Sequence, residues 1–349
     1  VSLWLCRAGK YGEREDNALE QARAVIGWEE MPNLSTVTSR EEMLGLLSST
    51  YPNLKLRTLQ NWRNQLWAFS KTMEIGDLVV LPLKERPAIA FGKIIGHYKF
   101  DETGVVKHFR SVEWLTRDAP RTKFPKDLLF SFGAAQTVCR ITRHDAENRI
   151  NHFLKTGTAS EWQDQINSGG IGRTDSSEID DPTAVDIQDY ADDQLRRYIQ
   201  SQFAGHDLAL LVEAILGAKG YKTLNSKPGR DGGVDILAGR GEMGFEAPRI
   251  CVQVKSEDNP LDVGVLRELQ ATITNFGAEQ GLLVGWGGFR QSLIAEAKRL
   301  FFRIRLWDSS DLLQNLFEVY ERLSPEFQAR LPLKRIWTIV PSQDSEDTE

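Results

Sequence analysis

Cysteine is scarce in this chain of 349 residues, and so are long apolar runs. Cys6, Cys139 and Cys251 stand far apart with no paired spacing. That excludes a disulfide framework and a cysteine zinc cluster, and predicts three buried thiols. No apolar stretch approaches the roughly 20 residues that a membrane span needs. Val1 to Arg7 also lacks the long apolar core of a signal peptide. A cytoplasmic protein without a membrane partner is expected. Basic residues are missing from one stretch: Thr174 to Asp193 holds eight acids and no Lys or Arg, and the tail adds Asp344, Glu346, Asp347 and Glu349. Setting those twelve acids aside turns the net charge of −6 into +6. Acidic runs poor in apolar residues are solvated linkers or tails. The basic remainder suits a phosphate-bearing partner.

The length predicts more than one domain. The composition divides the chain into residues 1–150, a linker over 151–200 that is acidic at 174–193, a second domain over 201–340 and a disordered acidic tail over 341–349.

The residues that carry chemistry lie in the second domain. Gly232-Gly233-Val234-Asp235-Ile236-Leu237 is followed by Ile250-Cys251-Val252-Gln253-Val254-Lys255. Alternation in the latter predicts a strand with Ile250, Val252 and Val254 on one face and Cys251, Gln253 and Lys255 on the other. Phosphodiester hydrolysis needs a hard divalent cation held by oxygen, and a positive group near the attacking water. Asp235 offers a carboxylate, Gln253 an amide oxygen and Lys255 an ammonium. Leu208, Leu211, Val212, Ile215 and Leu216 form the apolar stripe of a preceding helix. Helices over Asp262–Phe276, Gln291–Phe301 and Asp311–Arg322 alternate with strands at Gly281–Trp286 and Phe302–Trp307, which predicts a three-layer α/β sandwich. Leu333 to Val340 is apolar enough for an extra strand.

From His206 to Trp307 this pattern resembles the Mrr-type branch of the PD-(D/E)XK, restriction-endonuclease-like superfamily. The resemblance implies a metal-dependent DNA endonuclease with Asp235, Gln253 and Lys255 as catalytic residues. Asp235 and Gln253 would hold Mg²⁺, or Mn²⁺, and double-stranded DNA would be the partner. Many relatives place a glutamate early in the preceding helix, where Ala209 stands here. His206, Asp207 and Glu213 are possible substitutes. Asp231 is expected to cap the glycine turn or to act as an accessory ligand, and Gln270 to approach the metal from its helix. Lys227, Arg230 and Arg267 are candidate phosphate contacts.

The first domain reads as mixed α/β. It begins with a strand at Leu3–Arg7, a helix from Glu15 to Ala24 and a strand at Val25–Trp28. A helix capped by Ser39 with Glu42 follows, then a longer one over Leu56–Glu74, then strands near 76–82, 89–98 and 109–114 that suggest a small barrel. Ile26-Gly27-Trp28, Gly76-Asp77-Leu78-Val79, Gly92-Lys93-Ile94, Tyr98 and Arg110-x-Val112-x-Trp114 resemble the PUA/EVE-like group. That implies a reader of modified bases or RNA, with Trp28, Tyr98, Trp114 and Arg110 as pocket candidates, Arg110 and Lys93 serving phosphate. Trp62 and Trp67 are expected in the core. Together the two resemblances imply a restriction or defence nuclease acting on modified DNA as a homodimer. The alternatives are an RNA-directed nuclease and a catalytically weak nucleic-acid sensor.

Overall fold

In the computed structural model the described residues are 1–157, 186–226 and 233–336. Lys227, Arg230, Asp231, most of the acidic linker and the tail lie outside them, as does the end of the expected Leu333–Val340 strand; its described part, up to Ile336, has no strand. Two compact units divide the chain, Val1–Tyr190 and Ala191–Trp337. No helix among the described residues is long and apolar enough to cross a membrane.

The first unit runs β1 (Leu3–Cys6), α1 (Glu15–Glu20), β2 (Arg23–Ile26), α2 (Arg40–Thr50), α3 (Leu56–Trp67), β3 (Leu78–Pro82), β4 (Ala88–Phe100), β5 (His108–Pro120), α4 (Lys126–Phe132), β6 (Val138–Arg140) and α5 (Ala146–Thr156). Ser39 caps α2, its side chain accepting the Glu42 N–H as its position predicts. Asp77 explains the Gly-Asp pair before β3: buried, it accepts the Ser2 N–H, the Glu74 N–H and the Trp4 indole N–H, and so fastens the starts of β1 and β3.

The six strands form one mixed sheet in the order β2-β5-β4-β3-β1-β6, with β1 and β3 parallel. The small barrel expected from the strand run is instead an open sheet: among the described residues no ladder joins the edges β2 and β6. A string of short strands shows pairing partners but not closure. Alternation gives every strand an inner face, where Trp4, Ile26, Val79, Ile94, Val112 and Val138 meet α2 and α3 in one core. On the other face Leu5, Val80 and Phe91 pack with Phe132, Ile150 and Phe153 of α4 and α5. Gly92 sits where β4 crosses β5; a Cβ there would lie 2.4 Å from Val112 Cγ1, so only glycine fits.

The second unit contains most of α6 (Ile187–Gln202), then α7 (His206–Ala218), β7 (Lys222–Asn225), β8 (Ile236–Arg240), β9 (Glu246–Lys255), α8 (Val263–Asn275), β10 (Gln280–Gly285), α9 (Gln291–Lys298), β11 (Ile304–Trp307), α10 (Ser309–Val319) and α11 (Pro325–Arg330). The sheet order is β11-β10-β9-β8-β7, parallel from β9 to β11 and antiparallel at β8. α7 and α10 cover one face through Leu208, Val212, Leu312 and Leu316. α8 covers the other through Leu266, Leu269 and Ile273, joined by Leu293 of α9. This is the three-layer arrangement that the helix and strand periods predict.

The described end of the acidic run, Asp186 to Asp193, is not a plain solvated linker. Asp186 caps α6 by accepting the Gln188 and Asp189 N–H groups, and both Asp186 and Asp189 bind Lys84 Nζ, at 2.8 and 2.7 Å. Burial pushes the Asp189 carboxyl up, but Lys84, Arg7 and Arg121 outweigh it and hold the group below its usual range. Asp193 is buried with Arg196 at 3.2 Å.

Candidate active site

β8 and β9 part company at Asp235. Their ladder pairs Ile236 with Val252 and Leu237 with Cys251 and ends there, one residue before Asp235. Gln253 takes the side of the sheet on which Cys251 packs, the α8 side, opposite Leu283 of β10 and with Lys255 two residues on. Ile250, Val252 and Val254 take the α7 side, as the alternation predicts.

The backbone clamps Asp235 from both neighbours. Its N–H donates to Val252 O at 2.9 Å, and its carbonyl accepts from Ser226 N at 2.8 Å. Its carboxylate Oδ2 accepts the Val254 N–H at 2.6 Å. Among the described residues Oδ1 takes no hydrogen bond, which leaves one carboxylate oxygen for a ligand. Gly233, two residues upstream, has φ +82°, a left-handed turn that glycine adopts without strain. A Cβ there would come 3.7 Å from Thr272 Oγ1 of α8, so the conformation rather than crowding calls for glycine.

Gln253 is only 5% exposed, yet its Oε1 has no hydrogen-bond partner among the described residues. A buried acceptor left unmet costs about 1–3 kcal/mol, so this oxygen is a standing destabilisation that a ligand would relieve. Lys255 is half-buried at the strand end, where its carbonyl accepts from Trp286 N at 2.9 Å. Its ammonium has no carboxylate partner among the described residues. Cys251, on the same face, is fully buried, and burial pushes its thiol up to about 11. It is a core residue and no hard-metal ligand.

A carboxylate oxygen and an amide oxygen on one strand fork form a hard donor pair, and the unmet Gln253 oxygen fits a small divalent ion that keeps several waters. Among the described residues no three His, Cys, Asp or Glu side chains converge as a metal-binding group.

The accessory candidates are dispersed. Ala209 is buried in the α7 core, where no acid could sit uncompensated. His206 is exposed at the start of α7, and Asp207 pairs with Arg330 at 2.7 Å. Glu213 accepts from Asn225 Nδ2 at 2.9 Å. Asn225 lies opposite Ile236 in the β7–β8 ladder, one residue from Asp235, so Glu213 is the α7 acid that the structure brings nearest the fork. Asn225 was not legible as a partner, since an Asn closing a short strand reads as turn chemistry. Gln270 is half-buried on α8, and Arg267 is engaged by Glu296 at 3.0 Å.

Three of the four reader candidates of the first unit, Arg110, Trp114 and Tyr98, are already bonded. Arg110 is 2% exposed, and its guanidinium donates to Phe69 O, Gly96 O and Ser70 O at 2.6, 3.3 and 3.2 Å. Trp114 Nε1 donates to Ala18 O at 2.9 Å. Tyr98 Oη accepts the Leu34 N–H at 3.1 Å and bonds to Nδ1 of the buried His108 at 2.8 Å. Burial lowers the His108 pKa. Trp28 is 5% exposed and packs edge-on against Trp62, but it has φ +62° and an Nε1 with no partner among the described residues. Trp62 and Trp67 pack half-buried against the core, and Lys93 is exposed. An open pocket of about 600 Å³ lies beside Tyr98, lined also by Asn33, Ser35, Phe100, Asp101 and Phe109.

Residues 200–316 match the family described as restriction endonuclease, the Mrr catalytic domain. Residues 4–134 match a domain of unknown function, DUF8426, rather than a PUA or EVE family. Among solved structures, the DNA modification-dependent restriction endonuclease AspBHI aligns at 15% identity over 78% of this chain and 72% of its own, with a TM-score of 0.31. The MspJI restriction endonuclease in complex with a 27-mer oligonucleotide aligns at 14% over 93% and 71%, with a TM-score of 0.33. Curated proteins show no match to the chain.

Proposed function

We propose, for a chain whose residues 200–316 are an Mrr-type restriction-endonuclease domain, that the fork of Asp235, Gln253 and Lys255 hydrolyses DNA phosphodiester bonds with a divalent metal ion. The observation that carries this reading is the buried, partnerless Gln253 Oε1 on a strand whose next N–H, that of Val254, holds the carboxylate of Asp235. Gln253 Oε1 and Asp235 Oδ1 would hold Mg²⁺, with Mn²⁺ as a substitute. The ion supplies Lewis-acid polarisation of the phosphate and screens its charge. Lys255 orients the attacking water and neutralises charge as the water oxygen bonds to phosphorus and the bond to the leaving oxygen breaks. The Val254 N–H fixes the carboxylate of Asp235, so its free oxygen points to one place.

The substrate we propose is double-stranded DNA carrying modified bases, cut in a restriction or defence role by a homodimer in the cytoplasm. Base reading would fall to the first unit, a PUA/EVE-like role, at the open pocket beside Tyr98. Phe100 and Phe109 offer ring surface there, and Asn33, Ser35 and Asp101 offer hydrogen bonds. Asp231 and Glu213 remain proposed accessories of the metal site.

The test is cleavage of matched plasmids, unmodified, cytosine-methylated and hydroxymethylated, with Mg²⁺ or Mn²⁺. Asp235→Ala and Lys255→Ala should each cut at least about 10²–10³-fold more slowly. Cleavage that survives both substitutions and chelation refutes the mechanism. A second reading, a nucleic-acid sensor with weak catalysis, draws on the buried Ala209 where an acid is expected. It gains if the wild type binds DNA and cuts none.

A further inference from the structure

The site occupies one end of the five-stranded sheet, where β9, β10 and β11 finish. The opposite end, where β10 and β11 begin, carries a surface that the cleavage chemistry does not use. There the segment Ala297 to Trp307 contains four cations, Lys298, Arg299, Arg303 and Arg305, and no acid. All four are exposed, and among the described residues none has a carboxylate partner. Between them Phe301 and Phe302 are 55% and 89% exposed, their rings meeting edge-on at 5.2 Å. The Arg305 guanidinium lies 3.8 Å from the Phe301 ring centre. Phe245 of the β8–β9 hairpin and Phe276 between α8 and β10 are exposed at the same end. Isolated exposed apolar residues need no explanation, but several large rings gathered at one end of a domain do.

We infer that this end is a second nucleic-acid-binding surface, on which the cations neutralise phosphates and Phe301 and Phe302 stack on unpaired bases. The inference rests on the nuclease reading for its polyanionic partner and extends it to a strand outside the cleavage fork. Six residues of β10 at about 3.3 Å each separate the two ends by roughly 20 Å. The bound segment is therefore flanking or second-site nucleic acid. Lys298 and Arg299 close α9, where the helix dipole alone favours cations. Arg303 and Arg305 lie beyond the helix, and that account does not cover them. A planar guanidinium over an aromatic ring beside an exposed second ring is the pairing that base-stacking platforms use. Over Ala297–Trp307 the charge is of one sign, which suits a phosphate backbone; the exposed carboxylates at this end, Glu242, Glu246 and Glu279, lie on the β8–β9 hairpin and before β10, and Glu279 is paired with Arg249.

The experiment measures binding of a fluorescent duplex, and of the same duplex with a single-stranded flank, across a salt series in chelator so that nothing is cut. Arg303→Ala/Arg305→Ala should lower the slope of log K against log salt by about two and weaken binding about tenfold. Phe302→Ala should weaken binding to the flanked duplex about tenfold and leave the plain duplex within about twofold. All three side chains are exposed, and an unchanged melting curve certifies the fold. Unchanged slope and affinity in both variants overturn the inference. So does a Phe302→Ala variant that binds normally but sediments as a smaller species, which would assign the face to a protein contact. Wild-type cleavage that persists while patch variants bind normally sinks the patch alone. Loss of cleavage in Asp235→Ala with the salt slope intact leaves the patch standing.

Discussion

Gln253 and Arg110 are both polar and lie on strands among apolar neighbours, at 5% and 2% exposure. Arg110 spends its donors on three main-chain carbonyls, while Gln253 keeps an oxygen with no partner. A buried polar group that is saturated holds a fold together, and one that is left unmet lowers stability unless something else binds it. The contrast is one of residues rather than of whole units, since among the described residues Asn17 Oδ1 and Trp28 Nε1 of the first unit are unmet as well; in the proposed site the unmet oxygen of Gln253 is kept for a ligand. The comparison predicts opposite signs for substitutions that look alike.

The largest effect should come from Arg110→Met, which removes the guanidinium but keeps an apolar stem. Phe69 O, Gly96 O and Ser70 O would lose their donor inside the protein. A loss of about 3–5 kcal/mol follows from leaving several buried acceptors unmet, read as a fall in the urea midpoint of the first unit. A loss below about 1 kcal/mol would mean that water replaces the guanidinium and that Arg110 is free for another role.

Glu15 lies between the two cases. Its Oε1 accepts the Lys84 N–H at 2.6 Å, yet burial pushes its carboxyl from 4.5 up to about 7. A raised folded-state pKa means that the folded form prefers the proton. The contribution of Glu15 to the stability of the first unit should be greatest below about pH 4.5, fall as pH rises towards 7, and level off above. The full span is about 3 kcal/mol at 1.36 kcal/mol per unit. Glu15→Gln should flatten that profile and raise the midpoint at pH 8, with little change at pH 4.5. A parallel downward shift at both pH values would show that the carboxylate contributes more than its burial costs.

Residues whose burial follows from local period were legible in the sequence. Ile250 to Lys255 alternates because Ile250, Val252 and Val254 enter one apolar core while the other face carries Cys251, Gln253 and Lys255, so the strand and its two faces could be read in advance. The cap Ser39 was legible for the same local reason, whereas Asp262, which reads as the first helical residue, is the cap of α8. Partners far along the chain were not. Arg110 suggests a phosphate contact until Phe69 and Ser70 are folded against it. Asp186 and Asp189 read as solvated linker until Lys84, about a hundred residues away, is seen between them. Barrel closure failed similarly, because closure depends on which edges meet and no local signal encodes that. Trp28, beside Gly27 and followed by Glu29-Glu30, suggests a pocket residue, but its ring lies in the core against Trp62.

The smallest effect has the most telling sign. Gln253→Leu keeps the side chain close in size and removes the unmet amide oxygen. If the oxygen is held for a metal ion, the metal-free protein should gain about 1 kcal/mol, since a buried acceptor without a partner is costly, while cleavage falls at least as far as in Lys255→Ala. Added Mg²⁺ should raise the melting midpoint of the wild type and leave that of Gln253→Leu unmoved, because only a ligand bound to the folded form shifts the equilibrium. Gln253→Glu should keep the Mg²⁺ response and strengthen it, a carboxylate being the better ligand for a hard cation. Destabilisation by Gln253→Leu, with the same Mg²⁺ response as the wild type, would place Gln253 with Arg110 among the structural polar groups and remove the contrast between the two residues.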